Sequence, residues 1–162
     1  MKFRAVLVTG SRSLQMAEEK RAWALRILRR ELEKLGHGDF VLHGGAVGPD
    51  AWATECTDKA IVEAHLVDGL VITKYNKGGD VAAWEANQGP PHGSYLARDR
   101  ALAQRAKALQ QQGYLVEVIA LIDPESPTRG AAYTLAECAK LDLPWRQATY
   151  PDDLKRPPGS EP

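Results

Sequence analysis

Cysteine is scarce in this chain, with two among 162 residues. Cys56 and Cys138 lie far apart and show no CxxC or zinc-type spacing. Neither a disulfide framework nor a thiolate metal site is expected, and both read as reduced, small core side chains. Histidine is scarce too. His37, His43, His65 and His92 have neither i,i+4 pairing nor the carboxylate spacing of a metal centre, so no metal is expected. Net charge is absent, because 21 Lys and Arg offset 21 Asp and Glu. That disfavours a protein that coats nucleic acid or an anionic membrane. No apolar run approaches the roughly 20 residues of a membrane span. The opening MKFRAVLVTG lacks a small-residue cleavage site and runs directly into a strand-like pattern, so no signal peptide is expected. A hydrophobic content of 44% is enough for a packed core. These exclusions leave the expectation of a cytoplasmic single domain over residues 1–150, followed by a flexible tail over 151–162.

Apolar periodicity organises the rest. Phe3 to Val8 reads as a buried strand, and Gln15 to Leu35 as an amphipathic helix stopped by Gly36. Phe40 to His43 is a second strand. Pro49 suits a first helical position, with helix expected from Asp50 to about Glu63. A third strand centres on Leu70-Val71-Ile72-Thr73, and an irregular stretch follows to His92. Ser94 to Gln112 is a long helix ended by Gly113. Leu115 to Ile122 is a strand, Gly130 to Leu141 a helix, and Trp145 to Thr149 a last strand. Strands alternating with helices of ten or more residues imply right-handed crossovers. The expected fold is α/β: one Rossmann-like, doubly wound domain with a mostly parallel sheet of about five strands. Trp23 is left exposed in one register of the first helix, which points to a homodimer or higher oligomer.

In such a fold every loop from a strand into the next helix lies at one edge of the sheet, where ligands bind. Three loops qualify: Thr9-Gly10-Ser11-Arg12, Gly44-Gly45-Ala46-Val47-Gly48-Pro49-Asp50, and Asp123 to Gly130. Glycines allow backbone amides to approach a phosphate oxygen, and helix N-termini add partial positive charge. Arg12, Arg98 and Arg129 would supply fixed charge. Asp50 suits either a ribose hydroxyl or the dipole of its own helix. The second loop is neither GxGxxG nor a lysine-bearing phosphate loop, so its amides are expected to do what that lysine does elsewhere. The ligand this suggests is phosphorylated, most naturally a nucleotide.

VTGSR near the start, HGGAVGPDAWA, RDRAL and SPTRGAAYTLAECAKLDLP together resemble the SLOG superfamily, in its YspA/YpsA-related branch. The resemblance runs in order from Phe3 to about Pro144. It implies a Rossmann-like domain that binds a nucleotide or a nucleotide-derived ligand related to NAD or ADP-ribose, as a sensor or accessory protein, with no resident cofactor. Gly10, Ser11 and Arg12 match its first motif, and Gly44, Gly45, Gly48 and Asp50 its second. Arg98 matches the helix arginine, whereas Asp99 replaces the usual Asn and Leu102 the usual Met. Arg129 and Gly130 match the last motif, but Ala131 stands where Thr is usual. The segment from Asp68 to Trp84 is poorly matched.

Three other activities follow from relatives within that superfamily. The LOG phosphoribohydrolases cleave a base from a nucleoside monophosphate, with an Arg on a helix and a Glu after a PGGxGTxxE loop. Here Arg98 and Glu137 give a partial echo as catalytic residues, without the glycine-rich half of the loop. A carboxylate would serve there by stabilising an oxocarbenium-like transition state or by orienting water. A DprA-like handler of single-stranded DNA would need a basic groove with aromatic stacking. Arg26, Arg29 and Arg30 are interleaved with Glu31 and Glu33, which reads as a surface ion-pair face instead. A pterin or molybdenum-cofactor carrier would use the same sheet edge as a nucleotide binder.

Overall fold

A computed structural model describes residues 2–75, 83–126 and 130–158, with side chains given for all of these except 74–75 and 83–86. The chain runs β1 (Arg4–Gly10), a short 3₁₀ turn (Arg12–Met16), α1 (Glu18–Leu32), β2 (Phe40–His43), α2 (Pro49–Glu55) and β3 (Ile61–His65). It continues through β4 (Leu70–Tyr75), β5 (Ala83–Gln88), α3 (Tyr95–Gln111), β6 (Leu115–Ile122), α4 (Gly130–Lys140) and β7 (Trp145–Thr149).

One sheet holds all of these strands in the order β5-β4-β3-β2-β1-β6-β7. β3, β2, β1, β6 and β7 are mutually parallel, and β4 and β5 extend the β3 side antiparallel. The fold is thus the expected α/β, doubly wound arrangement. Alternation along each central strand divides the core into two layers. Val6 and Val8 of β1, with Ile119 and Leu121 of β6, face α1 and α2 through Ala24, Ile27, Leu28 and Ala53. Ala5 and Leu7, with Val118 and Ala120, face α3 and α4 through Leu102, Ala106, Leu135 and Cys138. Strand order reverses at β1: the chain first steps outward through β2 and β3, then returns to place β6 on β1's other side.

Several expectations need correction. Among the described residues the sheet has seven strands, not about five, in part because the helix expected to reach Glu63 ends at Glu55. Cys56 caps it, Thr57 Oγ1 accepts from the Ala60 amide, and Ile61–His65 becomes a central parallel strand. Glu63 hid that strand, being a charged residue that is nonetheless buried. Arg105 donates to both its carboxylate oxygens at 3.0 and 2.8 Å, and His65 lies at 3.1 Å. Burial would raise its pKa, but these bonds from His65 and Arg105 pull it down to about 2. The stretch expected to be irregular includes β5, which pairs with β4 as a hairpin.

The first helix is also shorter than the pattern Gln15 to Leu35, since Arg12–Met16 forms the separate 3₁₀ turn and α1 ends at Leu32. Trp23 is buried, edge-on to Tyr150 at 5.4 Å, and its indole N–H donates to Asp152 O at 2.9 Å. The argument for a dimer from an exposed Trp23 therefore falls away. Nor is the tail loose over its described part. Lys155 pairs with Gln147 of β7 as an antiparallel bridge, Leu154 packs on the core, and Asp153 meets Arg30 at 2.7 Å. Among the described residues no helix is long and apolar enough to cross a membrane. Both cysteines are free and buried.

Candidate functional site

A cavity of about 230 Å³ opens at the C-terminal edge of the sheet, where strand order reverses. Thr9 and Gly10 end β1 at its floor, and Asp50 of α2 closes one wall. Arg98 and Asp99 of α3 form a second wall, and Gly130, Ala131 and Thr134 of α4 a third. A second cavity of about 390 Å³ adjoins it along the Gly44–Val47 loop and Leu66, Val67 and Asp68. Arg12, Ala46, Tyr95 and Arg98 line both, so the two form one continuous cleft.

The end of β1 is fastened before it reaches the cleft. The Ser11 amide donates to Leu121 O at 2.9 Å, and Ser11 Oγ accepts from the Asp123 amide at 3.0 Å. Ser11 therefore stitches β1 to β6 and lies outside the cavity wall. Asp123 is itself buried, taking a hydrogen bond from Ser13 Oγ at 2.7 Å and pairing with Lys20 at 3.0 Å. A side chain on Gly10 would collide with Pro49, so its bareness lets α2 begin directly over β1. Arg12 follows, exposed, and no carboxylate pairs with it among the described residues. Its guanidinium instead lies 5.0 Å from the ring centroid of Tyr95.

The glycine loop after β2 spends its first two amides within the protein. The Gly44 amide donates to Asp50 Oδ2 at 3.0 Å, and the Gly45 amide donates to His43 Nδ1 at 3.0 Å. Because Nδ1 accepts, the ring proton sits on Nε2, which meets Thr54 Oγ1 at 2.7 Å. Burial, with the charges of His65 and Arg98 nearby, lowers the His43 pKa to about 4. His43 is thus a neutral strut for the loop. The carbonyl of Gly44 accepts from Arg98 Nη1, which also reaches His65 O at 3.4 Å. Gly44 carries no side chain because the Arg98 guanidinium occupies that place: a Cβ would stand 2.7 Å from Cζ and 2.8 Å from Nη1. Gly48 caps α2 with φ of 92°. Of the loop amides, those of Ala46, Val47 and Gly48 have no acceptor among the described residues.

Ser94 caps α3, its Oγ accepting from the Ala97 amide at 3.1 Å, and so aims the first turn at the cleft. Arg98 is buried and donates through Nε to Asp99 Oδ1 at 2.8 Å. Burial raises the Asp99 pKa against the pull of Arg98 and Thr134. Burial likewise pushes Asp50 up to about 7, against the Gly44 and Gly10 amides and Arg98. Two buried carboxyl groups therefore line one cavity, with the buried guanidinium of Arg98 beside them and the exposed one of Arg12 at the rim. The hydroxyl lacking at Ala131 is replaced in the wall by Thr134, whose Oγ1 donates to Gly130 O at 3.1 Å.

Of the residues singled out from the sequence, Gly10, Arg12, Asp50, Arg98 and Gly130 meet in the smaller cavity, and Gly44 and Gly45 in its neighbour. Ser11 and Gly48 shape the loops behind them. Arg129 lies outside the described residues. Glu137 lines neither cavity and instead pairs with Lys140 at 3.2 Å and Arg100 at 3.9 Å. Tyr95 and Thr134 also line the smaller cavity without having been expected there, and Thr9 was expected only as the first residue of its loop. Leu66 to Asp68 were hidden because β3 read as helix. Among the described residues no cluster of three or more His, Cys, Asp or Glu could hold a metal ion. Compared with protein-family models, curated proteins and solved structures, the chain matches none, and the site is read from its own chemistry.

Proposed function

We propose that this chain is a SLOG-type domain that binds a nucleotide or a nucleotide-derived ligand, related to NAD or ADP-ribose, as a sensor or accessory protein. One observation carries the reading. Arg12, without a carboxylate partner among the described residues, stands beside the exposed ring of Tyr95 at the mouth of a cavity set where strand order reverses. A phosphate at Arg12, a base against Tyr95 and a sugar further in would use each group for what it does best. The start of α4, an 11-residue helix, adds its dipole at the same wall.

A hydrolytic reading rests on a different observation, the two carboxyl groups on the cavity wall. Asp50 or Asp99 would take the part given to Glu137 by analogy with the phosphoribohydrolases, since both line the cavity. Cleavage of an N-ribosidic bond needs such a group to accept a proton from attacking water while the base departs. Thermal shift with AMP, ADP, NAD, ADP-ribose and a pterin tests binding, since a ligand that binds only the folded state raises the midpoint. Chromatography of the incubated hit then separates the readings. An intact ligand supports a sensor or accessory protein, and free base supports the hydrolase. A shift with the pterin alone moves the assignment to a carrier.

A further inference from the structure

The smaller cavity has an unequal hydrogen-bonding character. Its wall presents the carboxyl groups of Asp50 and Asp99 and the hydroxyls of Thr9 and Thr134. Asp50 is only 6% exposed, and no cation pairs with it among the described residues. Arg98, the cation at this depth, already spends Nε on Asp99 and Nη1 on the carbonyls of Gly44 and His65. The amides of Gly44 and Gly45 are likewise taken, by Asp50 and His43. The inner wall is therefore rich in acceptors, and Arg12, whose guanidinium has no carboxylate partner among the described residues, stands on the rim.

A phosphate placed against Asp50 and Asp99 would stand beside two acidic groups that already share the guanidinium of Arg98, an unfavourable setting for a further anion in a buried site. A group that brings donors is matched instead. A vicinal diol offers two hydroxyl protons at the spacing of two neighbouring acceptors, and carboxylates accept such bonds strongly.

We infer that the cleft binds its ligand sugar-first: Asp50 and Asp99 read the 2′,3′-hydroxyls of a ribosyl group inside the smaller cavity, and the phosphate stays outward at Arg12. The inference rests on the nucleotide reading for its ligand class and goes beyond it in orientation and specificity. It makes Asp50 a specificity-determining residue that selects ribosyl over deoxyribosyl ligands. Removal of one hydroxyl leaves a buried acceptor unmatched, and such sites discriminate sharply.

Calorimetric titration of the intact chain with AMP, 2′-deoxy-AMP, 3′-deoxy-AMP, ribose 5-phosphate and inorganic phosphate is the test. AMP and ribose 5-phosphate should each bind at least tenfold more tightly than either deoxy analogue and than phosphate. In Asp50→Asn that preference should shrink several-fold, with the folded state checked by circular dichroism. Equal affinity of the wild-type chain for AMP and both deoxy analogues overturns the inference and leaves the nucleotide reading standing. Binding of ribose 5-phosphate with AMP silent overturns the nucleotide reading and supports the inference. Phosphate binding as tightly as ribose 5-phosphate overturns the inference, and silence from every ribosyl probe overturns both.

Discussion

The Arg98 guanidinium lies against the bare Cα of Gly44: Nη1 bonds the Gly44 carbonyl, and the Gly44 amide bonds Asp50. This relationship converts a glycine loop that looked built for phosphate into the seat of an arginine. It joins the ends of β2 and β3 to α3 before any ligand arrives.

Gly44→Ala is expected to destabilise the fold by about 1–3 kcal/mol, the usual cost of overpacking a closed site. The added methyl would stand 2.7–2.9 Å from three guanidinium atoms. Urea unfolding of Gly44→Ala, Arg98→Ala and the double variant checks the cause. Because both changes act on one contact, the double variant should lose markedly less than the two losses added.

Arg98→Ala should act on stability before affinity. The buried Asp99 would lose its ion pair, and the carbonyls of Gly44 and His65 would lose a donor. Breaking one partner out of a buried pair costs about 3–5 kcal/mol. A fall in urea midpoint well beyond that of Arg12→Ala would confirm it. Arg98→Ala folding as stably as the parent would show that α3 is placed wrongly.

Arg12→Ala should do the reverse. Arg12 is exposed and unpaired with any carboxylate among the described residues, so stability should stay within about 0.5 kcal/mol. Affinity for AMP should fall about tenfold or more with the loss of a charged hydrogen-bond donor. Thermal midpoints with and without AMP separate the two effects.

The pH profile carries two opposed contributions. The Asp50 carboxyl is raised to about 7 from an ordinary 3.8, so the folded state binds the extra proton between those values, and stability falls as pH rises through that window. His43 is lowered from 6.5 to about 4, so the unfolded state binds the extra proton, and stability falls as pH drops through 6.5 towards 4. Between about 4 and 6.5 the slopes oppose each other. Removing one exposes the other. In Asp50→Asn, stability should rise with pH across this interval, and the variant's stability relative to the parent should grow by up to about 4 kcal/mol from pH 4 to 8. Urea unfolding at a series of pH values reads both; parallel profiles for parent and variant would contradict the assignment.

Glu137→Gln should leave AMP affinity, and any release of base, unchanged. The side chain faces Lys140 and Arg100 and stands outside both cavities. Loss of turnover in this variant, but not in Asp50→Asn, would return the hydrolytic role to α4.

The elements legible in the sequence were those whose local signals agree with their burial. Leu115–Ile122 is apolar at every position but Glu117, and Tyr95–Gln111 is a long helical pattern stopped at Gly113. β3 failed for a physical reason. Ile61-Val62-Glu63-Ala64-His65 has a charge at its centre, and Arg105, distant in sequence, joins His65 in making that charge tolerable inside. The site was legible as a place and not as a mechanism. Topology brought Gly10, Arg12, Asp50, Arg98 and Gly130 together as their loop positions required. What each polar group does depended on partners that spacing cannot supply, as Gly44 and Arg98 show.

Lys155 gives and receives one backbone bond with Gln147, each at 2.9 Å, along the outer side of β7. That single rung turns the terminal strand of the sheet into an interior one at its midpoint. An uncovered strand border is a template on which another chain can grow, so the segment around Lys155 acts as a seal against self-templating. The chain thereby guards the flank nearest its own terminus, while the opposite flank of the sheet ends in the β5 hairpin strand.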